Sequence, residues 1–156
     1  MRALITGVAG FIGSTLAEQL CHLYFVNVGV PTVSLRSLRA TILGEPIAVF
    51  GDGEQTRDFT FVSDAVNANV LAATRGVTGR VYNIGGGSRV SVNQVLELIG
   101  RVGGRRPVIT VNPAQEGDMR HPYADTTLAR SDPGFTPTVG LEEGLVPEHQ
   151  WLAGIL

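Results

Sequence analysis

The 156-residue chain reads as an α/β protein, and three observations carry that reading. The short apolar run Ala3 to Ile5 enters glycines at Gly7, Gly10 and Gly13 and then the helix-like stretch Ile12 to Leu20, so strand, turn and helix follow one another directly. Further along, short β-branched or aromatic runs alternate with stretches of helical spacing, the pattern of strands covered by helices. Apolar residues make up 44% of the sequence against 17% charged, enough to bury a core that offsets chain entropy.

The opening strand is of the kind that lies inside a parallel sheet. Its glycines let the backbone turn tightly and approach a pyrophosphate, which then rests on the positive N-terminal end of the following helix. Gly7, Gly10, Phe11, Ile12 and Gly13 therefore form a candidate dinucleotide loop. Leu23 to Pro31 is rich in β-branched and aromatic residues, stops at Gly29 and Pro31, and reads as a buried strand. Ser34 to Leu43 places Leu35, Leu38, Ile42 and Leu43 at helical spacing. Ile47 to Phe50 is a short strand, and Gly51-Asp52-Gly53 a tight turn that needs a positive φ.

Arg57 to Val62 alternates like a strand edge, and Ser63 is expected to cap an alanine-rich helix, Asp64 to Thr74, that ends at Gly76. Val81 to Ile84 reads as a strand ahead of Gly85-Gly86-Gly87. Ser91 caps a helix from Val92 to Val102 whose apolar face is Val95, Leu96, Ile99 and Val102. A loop at Gly103 to Pro107 precedes an extended piece, Val108 to Val111, and the polar loop Asn112 to Asp118. Leu141 to Leu156 closes the chain as a helix that Pro147 is expected to break or kink, with Trp151 as a packing anchor. With no internal repeat and no low-complexity linker, the length suits a single compact domain over 1–156.

The charge balance narrows the partners. Twelve basic residues, all arginine, against 14 acidic ones leave a net charge of −2, with no long-range pull toward nucleic acid or an anionic membrane, so any anion site is local. One cysteine, Cys21, excludes an internal disulfide and fits a reducing compartment. There is no apolar run of about 18 residues, and the N-terminus is a glycine-rich strand and turn rather than a leader; the expectation is a cytoplasmic protein. His22, His121 and His149 share no metal-ligand spacing, so no metal is expected. Cys21 and His22 are not a catalytic dyad, because neighbours on a helix point about 100° apart.

These landmarks assemble into a resemblance. Thr6-Gly-Val-Ala-Gly-Phe-Ile-Gly13, Tyr24-Phe-Val-Asn-Val-Gly-Val-Pro31, and above all Gly44 to Phe59 with Val62, Ser63 and Asp64, resemble the extended short-chain dehydrogenase/reductases that act on nucleotide-diphosphate sugars, the NAD-dependent epimerases and dehydratases of the UDP-glucose 4-epimerase type. Tyr82 to Gly87, Glu116 to Asp118 and Tyr123 to Asp125 complete the pattern. The resemblance implies NAD as cofactor at the Gly7–Gly13 loop and a nucleotide-sugar such as UDP-glucose at Asn27, Phe50, Arg57 and Asp118. In it, Phe50 lies near the uracil, Arg57 on the diphosphate and Asp118 on the ribose. Gln115 stands where many relatives carry a phosphate-binding arginine, with Arg120 close by in sequence.

The resemblance comes in two pieces, 1–22 and 23–156. Between Leu20 and Tyr24, where relatives insert a long central segment, only Cys21, His22 and Leu23 stand. No acidic residue lies between Glu18 and Glu45 to hold an adenosine ribose. The dyad implied by the resemblance, a tyrosine with a lysine four residues on, cannot be composed from a chain without lysine: Tyr24, Tyr82 and Tyr123 are followed at that spacing by Val28, Gly86 and Thr127. An arginine, with its spread charge, is a poor substitute for the ammonium.

The expected architecture is therefore an incomplete, rearranged or strand-swapped Rossmann-like sheet with the small substrate subdomain, in a homo-oligomer, since unpaired apolar edges invite strand addition. Three readings stand: a truncated epimerase relative that keeps part of the nucleotide-sugar site, an oligomer that rebuilds an active site between chains, and a structural module. For Arg57 the alternative to a diphosphate contact is a surface pair with Asp58 or Asp52, and for Phe50 a place in the core or at its edge.

Overall fold

The computed structural model describes residues 25–26, 33–115, 117 and 120–156. The elements in order are β1 (Phe25–Val26), α1 (Val33–Leu43), β2 (Pro46–Phe50), β3 (Thr56–Arg57), β4 (Thr60–Phe61), α2 (Val62–Arg75), β5 (Val90–Ser91), α3 (Val92–Gly103), β6 (Val108–Asn112), α4 (Thr127–Ser131) and α5 (Leu141–Ile155). The strands pair two by two: β1 antiparallel to β4, β2 parallel to β6, and β3 antiparallel to β5. The fold is α/β, with one parallel pair in register from Pro46 opposite Val108 to Phe50 opposite Asn112.

The main core lies where α1, α3 and α5 meet over β4. Leu38, Val95, Ile99, Leu145, Leu152, Phe59 and Phe61 are all buried there. The spacing of Val95 and Ile99, and of Leu145 and Leu152, keeps each pair on one helical face. A second cluster joins Val49 of β2 to Val92 and Leu96 of α3, and a third joins Ala68 of α2 to Ala129 of α4 and Phe135.

Local chemistry fixes the ends. Ser91 accepts from the Gln94 N–H while the Gln94 side chain accepts from the Ser91 N–H, a closed capping box that starts α3 where expected. Gly104, at φ 63°, ends it in the left-handed region. The Gly51–Gly53 turn takes φ 73° at both glycines, and Asn93 ties it to the start of α3 through the Asp52 carbonyl and the Glu54 carboxylate. Asp64 on α2 accepts from the Thr138 N–H and hydroxyl and the Val139 N–H, holding the segment ahead of α5 against α2.

Several expectations need correction. Ser63 is not the cap of α2: the helix begins at Val62, Phe61 is the capping position, and no side chain closes it. Val81 to Ile84 alternates outward and inward, with Tyr82 and Ile84 packed on the third cluster, yet it is not a strand, because it has no ladder partner among the described residues. Pro147 does not break α5, which runs unbroken from Leu141 to Ile155. Trp151 is 41% exposed, and the anchors of that helix are Leu145 and Leu152. Leu43 also turns outward, its place on the inner face of α1 taken by Ser34, Ser37 and Thr41. The Gly7–Gly13 loop, Asn27 and Asp118 lie outside the described residues, as do Cys21 and His22. Among the described residues no helix is long and apolar enough to cross a membrane, and no group of His, Cys, Asp or Glu could hold a metal ion.

Candidate functional site

An open cavity of about 780 Å³ lies between α1 and β2. Phe50, at the C-terminal end of β2, contributes an aromatic wall, and its carbonyl accepts from Gln55 Nε2 at 2.9 Å. Arg57 enters from β3, its backbone placed by pairing with Val90 of β5 and one guanidinium N–H donated to the Thr56 carbonyl at 2.9 Å. Gln115 enters from the loop after β6. From α1 come Arg36, Arg39 and Ala40, on the helix face opposite its buried leucine. The cavity joins an aromatic surface to a cationic one, a pairing suited to a ligand with a flat ring and an anionic tail.

Of the residues singled out in the sequence, the fold brings Phe50 and Arg57 into this one cavity, together with Gln115. Arg57 is not the partner of Asp52: Arg120 is, at 2.6 Å, on the exposed side of the 51–53 turn. The Glu54 N–H first and Arg120 second hold the Asp52 carboxyl below its ordinary range. Arg120 does not line the cavity, so it does not stand in for Gln115 there. The α1 arginines and Gln55 escaped the sequence reading. The only trace they left was Arg36, Arg39 and Ala40 at i, i+3 and i+4, the spacing of one helical face.

Asp58, next to Arg57, points away from the cavity into the triglycine loop. Its Oδ1 accepts from the Ser88 N–H, and its Oδ2 is buried without a hydrogen-bond partner against Gly85. Burial pushes its carboxyl up, opposed by the Ser88, Gly87 and Gly86 N–H groups. The loop packs so closely that a Cβ on Gly86 would overlap the Phe59 carbonyl oxygen. Here the glycines serve close approach of two backbone segments, and that approach fixes the residue following Arg57.

The fold and cavity define an α/β protein with a composite aromatic and cationic pocket. Residues 27–85 match the NAD dependent epimerase/dehydratase family, so the chain carries an epimerase-family segment. It is 30% identical over 158 residues to an uncharacterized UDP-glucose epimerase, YtcB, of Bacillus subtilis, an alignment covering 88% of this chain and 49% of the relative. The UDP-glucose 4-epimerase of Thermotoga maritima, solved with UDP-glucose, superposes with a TM-score of 0.75 at 34% identity, over 82% of this chain and 41% of that one. MoeE5, solved with UDP-glucuronic acid and NAD, gives a TM-score of 0.74 at 42% identity, over 84% of this chain and 45% of that one. The chain spans about half the length of the curated relatives it matches.

Proposed function

We propose that this chain is a truncated relative of the NDP-sugar epimerases that holds a nucleotide-sugar such as UDP-glucose and does not epimerise it by the Tyr–Lys mechanism. The observation that carries the reading is the meeting of Phe50 and Arg57 in one cavity. A uracil ring suits the aromatic wall, and the guanidinium fork suits phosphate oxygens. The solved relatives named with UDP-glucose and UDP-glucuronic acid support the ligand class. Asn27 and Asp118 would complete the grip on the sugar and ribose.

NAD is the cofactor that the resemblance implies, and solved relatives named with it support that class; the Gly7–Gly13 loop that would take its pyrophosphate lies outside the described residues, and the chain has no lysine. Of the described tyrosines, Tyr82 accepts from the Val77 N–H and donates to Asp132, while Tyr123 lies under the Arg89 guanidinium at 4.4 Å. Neither lines the cavity. Among the described residues, the cavity lining thus offers groups for ligand binding. A homo-oligomer belongs to the same reading, because Val108, Ile109 and Val111 are exposed on β6, whose one strand partner among the described residues is β2.

The test is calorimetric titration of the purified protein with UDP-glucose, before and after Arg57→Ala. The expected result is binding by the parent and a loss of roughly 30-fold in the variant, the size of a lost charge-assisted contact. An unchanged affinity in Arg57→Ala, with the fold intact by circular dichroism, would defeat the reading.

A further inference from the structure

We propose that α5 is a pH-sensitive latch: with Glu148 protonated the helix lies closed on α1 and α3, and ionisation of Glu148 shifts it toward an open position, pivoting about Gly140 while the rest of the domain stays folded.

Leu145 and Leu152, at i−3 and i+4 from Glu148, are core residues, so the carboxyl is carried in on the apolar face of α5. Ser34 of α1 stands beside it, and both residues are 1% exposed. Neither Ser34 Oγ nor Glu148 Oε2 has a hydrogen-bond partner. Two buried, unpartnered polar atoms side by side make a seam that suits a neutral carboxyl, which can donate to the hydroxyl; a carboxylate there loses its hydration and gains at most one donor. Among the described residues no charged side chain offsets it. On α1, Arg36 and Arg39 line the cavity on the far face of the helix. On α3, Glu97 is exposed and Arg101 reaches Glu142 of α5 at 3.2 Å on the surface. β4 brings only Thr60 and Phe61. On α5 itself Glu143 is exposed, and His149 turns its Nε2 to Gly103, where Thr41 of α1 also arrives. Burial is left as the main influence on the Glu148 carboxyl and pushes it up to about 7.

The segment ahead of α5 supplies the pivot. Thr138 and Val139 are clamped to α2 by the Asp64 carboxylate, which accepts from both backbone N–H groups and from the Thr138 hydroxyl. Helix α5 begins at Leu141, and Gly140 between clamp and helix has no side-chain cap and open space where a Cβ would stand. The helix belongs to no strand ladder; it is held by Leu145, Leu152 and the exposed Arg101–Glu142 pair. Opening therefore breaks one helix–helix seam and leaves every strand pair in place, the kind of local unit that opens below the global unfolding free energy. Ionisation of Glu148 adds its burial penalty to the closed state alone, so the closed form is favoured at low pH and loses ground as pH rises.

Hydrogen exchange of the full chain, read segment by segment at pH 4.5 and pH 8 and corrected for the intrinsic rate at each pH, tests the latch in the parent, Glu148→Gln and His149→Gln. In the parent the α5 amides are expected to open about 100-fold more readily at pH 8 than at pH 4.5. At pH 8 they should exchange more than about tenfold ahead of the α3 amides and by a route insensitive to low urea, the mark of a local opening. Glu148→Gln should abolish the pH response of α5, and His149→Gln, which removes the other titratable group on that part of the helix, should keep it. Should Glu148→Gln not fold, Glu148→Leu, which continues the apolar face, takes its place with the same expectation. If α5 and α3 exchange in step at pH 8, the helix opens only with the whole domain and the latch is refuted. A pH response that survives in Glu148→Gln, or that disappears in His149→Gln, refutes it as well, because the switch then lies in another group.

Discussion

Gly86→Ala should lower the melting temperature by roughly 10 °C, corresponding to a loss of about 3 kcal/mol in a domain of this size. The added Cβ would run into the Phe59 carbonyl oxygen, and the Asp58 carboxylate stands close on the same side. Backbone cannot swing aside as a side chain can, so the strain must spread into the β3–β5 pair and the core around Phe59 and Phe61. Gly154→Ala is the matched control. Gly154 lies within α5 with nothing near a Cβ, and alanine there should stabilise the helix by about 0.5–1 kcal/mol. Differential scanning calorimetry of both variants decides the matter; a Gly86→Ala protein that melts with the parent would remove the close approach from the account. The same variant should also weaken ligand binding, since the displaced segment directly follows Arg57.

Stability should fall as pH rises, by an amount traceable to Glu148. This residue is 1% exposed within the α1–α3–α5 core, and its Oε2 has no hydrogen-bond partner. Burial pushes its carboxyl up from 4.5 to about 7. The Ser34 hydroxyl beside it pulls the other way by less, because it lies near the carboxyl without closing a well-formed hydrogen bond. The folded protein therefore holds a proton that the unfolded chain releases near its ordinary value. The associated stability is fully present below about pH 4.5 and is lost as pH rises to about 7, beyond which the penalty is constant. Its size is on the order of 3 kcal/mol. Glu148→Gln keeps the shape and removes the charge, so it should raise stability at pH 8 by about 2 kcal/mol, change little at pH 4.5, and flatten the profile between. Urea unfolding at the two pH values reads this directly. A parent and a variant with parallel profiles would mean that Glu148 is not titrating in the core.

How much of this was visible in the sequence depends on the range over which each feature is decided. The start of α3 was legible because a serine, a glutamine three residues on and an apolar stripe are local signals, and the capping box closes within four residues. The 51–53 turn was legible for the same reason. Val81 to Ile84 was misread because alternation marks an extended segment, while a strand also requires a neighbour that no local pattern can supply. Pro147 was misread as a break because the packing of Leu145 and Leu152 on either side holds the helix together across the missing N–H. Glu148 could have been found: Leu145, Glu148 and Leu152 recur at i, i+3 and i+7, which places the carboxyl on the apolar face.

At the cavity, Phe50 and Arg57 were legible through the run from Gly44 to Phe59, and they do meet in space. The place of Arg36 in its lining was not, because that depends on how α1 lies across β2, and helical spacing says which residues share a face without saying what that face covers. The triglycine segment was visible as three glycines, but its reason, the close passage of Asp58 and Phe59, belongs to tertiary packing.

The central claim is that Phe50 and Arg57 bound a nucleotide-diphosphate site. A crystal structure of the protein grown with UDP tests it most directly. The uracil is expected against Phe50 and the two phosphates against Arg57. Nucleotide density elsewhere, or an empty cavity at a UDP concentration well above saturation, would show that the cavity is inherited architecture and not a nucleotide site.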